Sequence, residues 1–130
     1  ALRLALTHPD MFVSANSHSG PLLRGTYGWT DKAHQAEMQK IFGKRPAGSP
    51  HDLVWLVDQC RKAGRGPKLM IDCGTEDFLL NENREFHAGL ENWGIPHVYQ
   101  EYPGGHDWFY WDARLPEAIA FHASAMRLRK

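Results

Sequence analysis

Lys68-Leu69-Met70-Ile71-Asp72-Cys73-Gly74 is the stretch that decides the fold. It is a nearly continuous apolar run, preceded by Gly66-Pro67 and closed by Gly74. The run is too short for a buried helix. Its lack of polar alternation fits a strand covered on both faces, as in a parallel sheet. Downstream, Asn81 opens a helical pattern through Asn83, Phe86, Leu90 and Trp93, which Gly94 ends. Pro96 then restarts an extended run, His97-Val98-Tyr99-Gln100-Glu101-Tyr102, stopped by Pro103-Gly104-Gly105. Residues 68–102 therefore read as a βαβ unit, whose crossover is right-handed in nearly all cases.

Upstream of this unit, Ser49 is expected to cap a helix with Pro50 at its first position and Leu53, Val54, Leu56, Val57 and Cys60 on its inner side. Residues 43–50 read as a loop. Residues 31–42 read as a looser helix with Ala33, Ala36, Met38, Ile41 and Phe42 on its apolar face. Met11 to Ser17 reads as a strand, and Ala1 to Leu6 as a helix that Pro9 ends. The last helix is expected from Pro116 to Arg127, with Ile119, Ala120, Ala123 and Met126 facing inward. Alternating strands and helices define an α/β domain of three parallel strands with covering helices. A length of 130 residues fits one domain, 1–130. The opening helix has no capping residue ahead of it, and a bare edge on the first strand is an aggregation hazard. Both features lead us to expect further N-terminal strands outside this chain.

Composition removes several functions. Lys plus Arg and Asp plus Glu each number 15, so the net charge is zero. Nucleic-acid binding needs clustered positive charge, and none is expected. The hydrophobic fraction of 42% suits a packed core. The longest apolar run, Leu53 to Val57, falls far short of the ~20 residues of a membrane span. Cys60 and Cys73 alone provide neither a disulfide framework nor a cysteine zinc site, which favours a reducing, cytoplasmic setting. His8, His18, His34, His51, His87, His97 and His122 show no metal-ligand spacing. No metal and no cofactor are expected.

Ligands of open α/β sheets bind beyond the carboxyl ends of the strands. Two loops leave such ends here, Gly74-Thr75-Glu76-Asp77-Phe78-Leu79 and Pro103-Gly104-Gly105-His106-Asp107-Trp108. Neighbouring strands lie ~4.8 Å apart, so an acid just past the first strand reaches a histidine at the tip of the second loop. Asp77 and His106 are the expected pair. The carboxylate would fix the imidazole tautomer and stabilise the imidazolium. Each residue alone also fits an ordinary turn, and Glu76 is a rival acid beside Asp77. What singles out the pair is its order: strand, acid, helix, strand, histidine.

With these segments in place, the chain resembles the C-terminal half of an α/β-hydrolase of the putative-esterase family. That family includes esterase D (S-formylglutathione hydrolase), tributyrin-esterase-like and feruloyl-esterase-like enzymes and, distantly, the antigen 85 mycolyltransferases. The resemblance rests on Ala1 to Leu6 with His8-Pro9-Asp10, on Phe12 to Gly20, on Gly74 to Leu79, and on Gly104 to Trp108 with Tyr110-Trp111. It implies that Asp77 and His106 are the acid and base of a Ser…Asp…His triad, and it favours Asp77 over Glu76. It implies a serine carboxylesterase or thioesterase acting through an acyl-enzyme on a small-molecule ester or thioester. The chain holds no Gly-x-Ser-x-Gly elbow, and Ser17 and Ser19 lie at a strand end. By resemblance, the nucleophile stands just before Ala1, in the missing N-terminal half of the same fold. This chain alone is then expected to be inactive. Residues 21–66 occupy the place of the family's variable cap, a cap-like insertion that would set specificity.

Two weaker substrate contacts are His18, which follows the first strand and would line the site rim, and Trp108, which fits an acyl pocket or packing under the histidine loop. Cys73 ends a buried strand and fits a core thiol. Two other readings stay open: a non-catalytic α/β-hydrolase-like binding module, and an acyltransferase of the same fold in which another alcohol replaces water.

Overall fold

The computed structural model describes residues 1–29 and 32–127. Its elements run α1 (Leu2–Thr7), β1 (Ser14–His18), α2 (Arg24–Tyr27), α3 (Lys32–Phe42), α4 (Leu53–Lys62), β2 (Lys68–Gly74), α5 (Leu80–Asn92), β3 (His97–Tyr102) and α6 (Trp108–Ala125). The three strands form one sheet in the order β1-β2-β3. Both pairings are parallel, with Ser14 beside Lys68 and Leu69 beside His97.

The central strand is the expected one, and every residue of it from Leu69 to Gly74 is buried. Side chains alternate across a strand. Leu69 and Ile71 join the main apolar core with Leu2, Ala5 and Leu6 of α1, Leu56 and Val57 of α4, and Phe86 and Leu90 of α5. Met70 and Asp72 point the other way, where Asp72 meets Tyr110 of α6. Helices on both faces explain why β2 lacks polar alternation. Gly94, at φ 65°, closes the turn after α5 as expected, and β3 keeps its expected bounds.

Several local expectations need correction. The first strand starts at Ser14 rather than Met11. Pairing with β2 begins there, and Met11 and Val13 are exposed. α4 is capped by Asp52 rather than Ser49. The buried Asp52 carboxylate accepts the Val54 and Trp55 N–H groups and the Thr26 hydroxyl, whereas the Ser49 hydroxyl donates to the Pro46 carbonyl. The last helix starts at Trp108, well before Pro116, because Asp107 accepts the Tyr110 N–H and nucleates the first turn; Pro116 sits inside the helix. Its inner face is built on Tyr110 and Ala118, while Ile119 and Met126 are exposed. α3 runs from Lys32 and buries no residue, and Asp31, its expected start, lies outside the described residues.

Candidate active site

The loops after β2 and β3 meet through their backbones. A Cβ on Gly74 would lie 2.1 Å from the Gly104 carbonyl oxygen, so only glycine lets the strand end approach this closely. The Thr75 N–H donates to the Tyr102 carbonyl at 2.8 Å, and the Glu76 N–H to the Gly104 carbonyl at 3.1 Å. The Glu76 carboxylate in turn accepts the Gly104 N–H. That N–H holds the Glu76 carboxyl below the ordinary carboxylate range. Gly104 has φ 130°, and a Cβ there would meet the Tyr110 ring at 2.8 Å. Glu76 is therefore a strap between the two loops.

Asp77 is the acid that faces the histidine. One carboxylate oxygen accepts the Leu79 N–H at 2.8 Å, an Asx turn that leads into α5. The other lies 2.9 Å from Nδ1 of His106. The Asp77 side chain is fully buried, whereas that of His106 is 34% exposed. With Nδ1 directed at the carboxylate, Nε2 is the nitrogen left for proton exchange. The imidazole is flanked by Phe78, at a centroid separation of 4.8 Å, and stands edge-on to Trp111 at 5.1 Å. Trp111 is edge-on to Trp108 in turn. Phe78 and Trp108 are both more than three-quarters exposed, so the histidine sits in an aromatic collar open to solvent.

A second imidazole–carboxylate pair lies on the sheet itself. Nδ1 of His18 is 2.6 Å from one oxygen of Asp72, its register partner, and the Tyr110 hydroxyl donates to the other at 2.8 Å. Asp72 has no exposed surface, and burial pushes its carboxyl up from the ordinary value against the opposing Tyr110 and His18 contacts. Nothing in the motif reading pointed to this network. The signal was present as one acid inside an otherwise apolar buried strand. Both weaker candidates, His18 and Trp108, line a cleft of about 620 Å³ together with Trp111, Arg24, Trp29 and His51. Cys73 has no exposed surface, and burial pushes its thiol up to about 11, as befits a core residue. Among the described residues, no cluster of His, Cys, Asp and Glu is arranged to hold a metal ion, and no helix is long and apolar enough to cross a membrane.

Residues 1–122 match the family described as "Putative esterase". The chain belongs to this family. Over 84 residues it is 39% identical to an acetyl esterase of Caldicellulosiruptor saccharolyticus, covering 62% of this chain and 32% of that protein. Over 129 residues it is 33% identical to an esterase of Mycobacterium tuberculosis, covering 82% of this chain and 28% of that protein. Among solved structures, the S-formylglutathione hydrolase of Staphylococcus aureus superposes with a TM-score of 0.76 at 30% identity, over 93% of this chain and 48% of its own. A fluorophosphonate-binding serine hydrolase of the same organism gives the same TM-score and identity. A ferulic acid esterase superposes with a TM-score of 0.74 at 28% identity, over 96% of this chain and 46% of its own. The chain thus spans about half the length of these solved structures and about a third of the curated esterases. The three parallel strands and their helices are the corresponding part of the α/β-hydrolase fold.

Proposed function

We propose that this chain carries the acid and base of a serine ester hydrolase, with His106 as general base and Asp77 as the carboxylate that orients it. The single observation that carries this reading is the 2.9 Å contact between Nδ1 of His106 and the buried Asp77 carboxylate at the carboxyl ends of adjacent strands. Its chemistry follows from the tautomer. An imidazole that donates from Nδ1 presents a lone pair at Nε2, which takes the proton of an attacking serine hydroxyl. The buried carboxylate stabilises the imidazolium formed in that step. Nε2 then returns the proton to the leaving alkoxide or thiolate, and the serine is left as an acyl ester. In the second half-reaction His106 takes a proton from water, which attacks the acyl carbon; the carbon–Oγ bond breaks, Nε2 returns the proton to the serine oxygen, and the acid is freed.

The chain contains no Gly-x-Ser-x-Gly, and we assign the nucleophile to a serine outside these 130 residues. The N–H groups of the oxyanion hole, one of them on the residue after that serine, are assigned there too. Residues 21–66 supply Arg24, Trp29 and His51 to the cleft beside His106, which supports assigning substrate selection to that segment. The test is fluorophosphonate labelling of the complete protein, with the labelled peptide located by mass spectrometry. A label on one serine outside this chain, lost in His106→Ala, is the expected result. A folded complete protein that takes no label, or one whose label survives His106→Ala, removes the assignment.

A further inference from the structure

Tyr110 grips the histidine loop on both sides of His106. On one side its ring packs against Gly104, where a Cβ would lie 2.8 Å from the ring. On the other, its N–H donates to the Asp107 carboxylate at 2.9 Å. His106 stands between these two points, and its side chain is 34% exposed. The imidazole rests only on Asp77, on the exposed Phe78 ring and on Trp111, the residue after Tyr110. A displacement of Tyr110 would therefore carry the loop and the Trp111 ring with it.

Tyr110 is itself anchored on the central strand. Its hydroxyl donates to one oxygen of Asp72 at 2.8 Å, and Nδ1 of His18 lies 2.6 Å from the other. With both oxygens engaged, the carboxylate cannot turn away. Tyr110 is buried, and burial followed by the Asp72 contact pushes its phenol well above the ordinary value, so the hydroxyl remains a donor. Asp72 has no exposed surface. A buried carboxyl is costly, and an apolar side chain would pack a central strand without that cost. The acid thus calls for a role beyond packing.

We infer that Tyr110 and Asp72 are positioning residues for His106, holding the imidazole in register with Asp77. The base is then tied to β2 by two routes. One runs from Asp77, in the loop after the strand, to Nδ1. The other runs from Asp72, within the strand, through Tyr110 to the backbone on either side of the imidazole. His18 locks the far oxygen of Asp72. The inference rests on the hydrolase reading above for the role of His106, and a misplacement of ~1 Å costs about 10²-fold in rate.

The experiment uses the complete protein and Tyr110→Phe, which keeps the ring against Gly104 and removes the hydroxyl. Phe78 and Trp111 flank the imidazole, so their ring currents displace the NMR signals of the His106 ring protons. Those signals are assigned by their loss in His106→Ala. In folded Tyr110→Phe they should shift or broaden. With a fluorophosphonate as probe, the maximal labelling rate should fall about tenfold or more, while the half-saturating concentration stays within about twofold. Asp72→Asn keeps an oxygen for the Tyr110 hydroxyl and should retain most of the rate that Asp72→Leu loses. A purely structural role, felt only as lower overall stability, would move neither the ring signals nor the maximal rate of the folded variants. Unmoved His106 signals or a parental maximal rate in Tyr110→Phe overturns the inference, and so does a parental rate in Asp72→Leu. A complete protein that takes no label removes the hydrolase reading instead, and the His106 signals still decide whether Tyr110 sets the ring.

Discussion

Replacing Gly74 by alanine tests the approach that brings the two loops together. The new Cβ would lie 2.1 Å from the Gly104 carbonyl oxygen and 2.8 Å from its carbon, and ordinary contact begins at 3.4 Å, so the backbones must separate by about 1.3 Å. Neither side can yield freely. The Thr75 and Glu76 N–H groups bind the partner loop, and the Glu76 carboxylate holds the Gly104 N–H. Overpacking costs ~1–3 kcal/mol, and weakening two hydrogen bonds adds about 1 kcal/mol each. The expected loss is about 3–5 kcal/mol in all, which lowers a urea midpoint by roughly 1.5–2.5 M at a slope of ~2 kcal/mol/M. Asp77 and His106 ride on these loops, and a misplacement of ~1 Å costs about 10²-fold in rate. Urea unfolding and the fluorophosphonate labelling rate, both measured on the complete protein, read the two effects. Gly89→Ala is the control. It lies inside α5 with nothing within 4 Å of the added Cβ, and it should gain about 0.5–1 kcal/mol. A Gly74→Ala protein with the parental midpoint and labelling rate would refute the argument from close approach.

Further outcomes follow from the same geometry. Asp77→Asn keeps an oxygen for the Leu79 N–H but favours the wrong imidazole tautomer, so kcat of the complete protein should fall about 10⁴-fold with little change in stability; a fall under tenfold would contradict the assigned role. Burial raises the folded pKa of Asp72, so its contribution is present below the unfolded carboxylate value and lost as pH rises through the folded one. The urea midpoint of the parent should therefore decline relative to Asp72→Asn as pH climbs above about 4, and a relative rise would be inconsistent with that sign. Iodoacetamide at pH 8 should modify half-buried Cys60 before fully buried Cys73, as peptide mass spectrometry would show; equal rates would place Cys73 at the surface.

Features fixed by neighbouring residues are legible in the sequence; features fixed by distant contacts are not. Residues 68–74 and 97–102 are legible as strands because Pro and Gly bracket them and their composition suits a sheet. Met11 and Val13 misled in the same terms. They are apolar, yet strand pairing starts only at Ser14, where β2 begins alongside. Pro116 misled because proline favours the first turn of a helix, whereas the Asp107 cap had already started this one at Trp108. Ser49 and Asp52 both suit an N-cap. The choice fell to Asp52, whose carboxylate also satisfies Thr26 and the Gly48 N–H from distant or looped chain. At the site, loop order brings Asp77 and His106 into consideration, but it does not say which way each acid points. Glu76 lies one residue away and turns to Gly104 instead.

The α/β alternation, the two loops that carry an acid and a histidine, and the absence of a serine elbow within these residues are all written in the sequence. Those properties reside in runs of a few neighbouring side chains and in chain order. It took the folded chain to show that Asp77 rather than Glu76 meets the imidazole, that Asp72 joins His18 to Tyr110 through the sheet, and that Arg24, Trp29 and Trp111 line one cleft. These contacts join residues far apart in the chain. Their directions are set by strand register and by backbone approach at Gly74, neither of which local composition specifies.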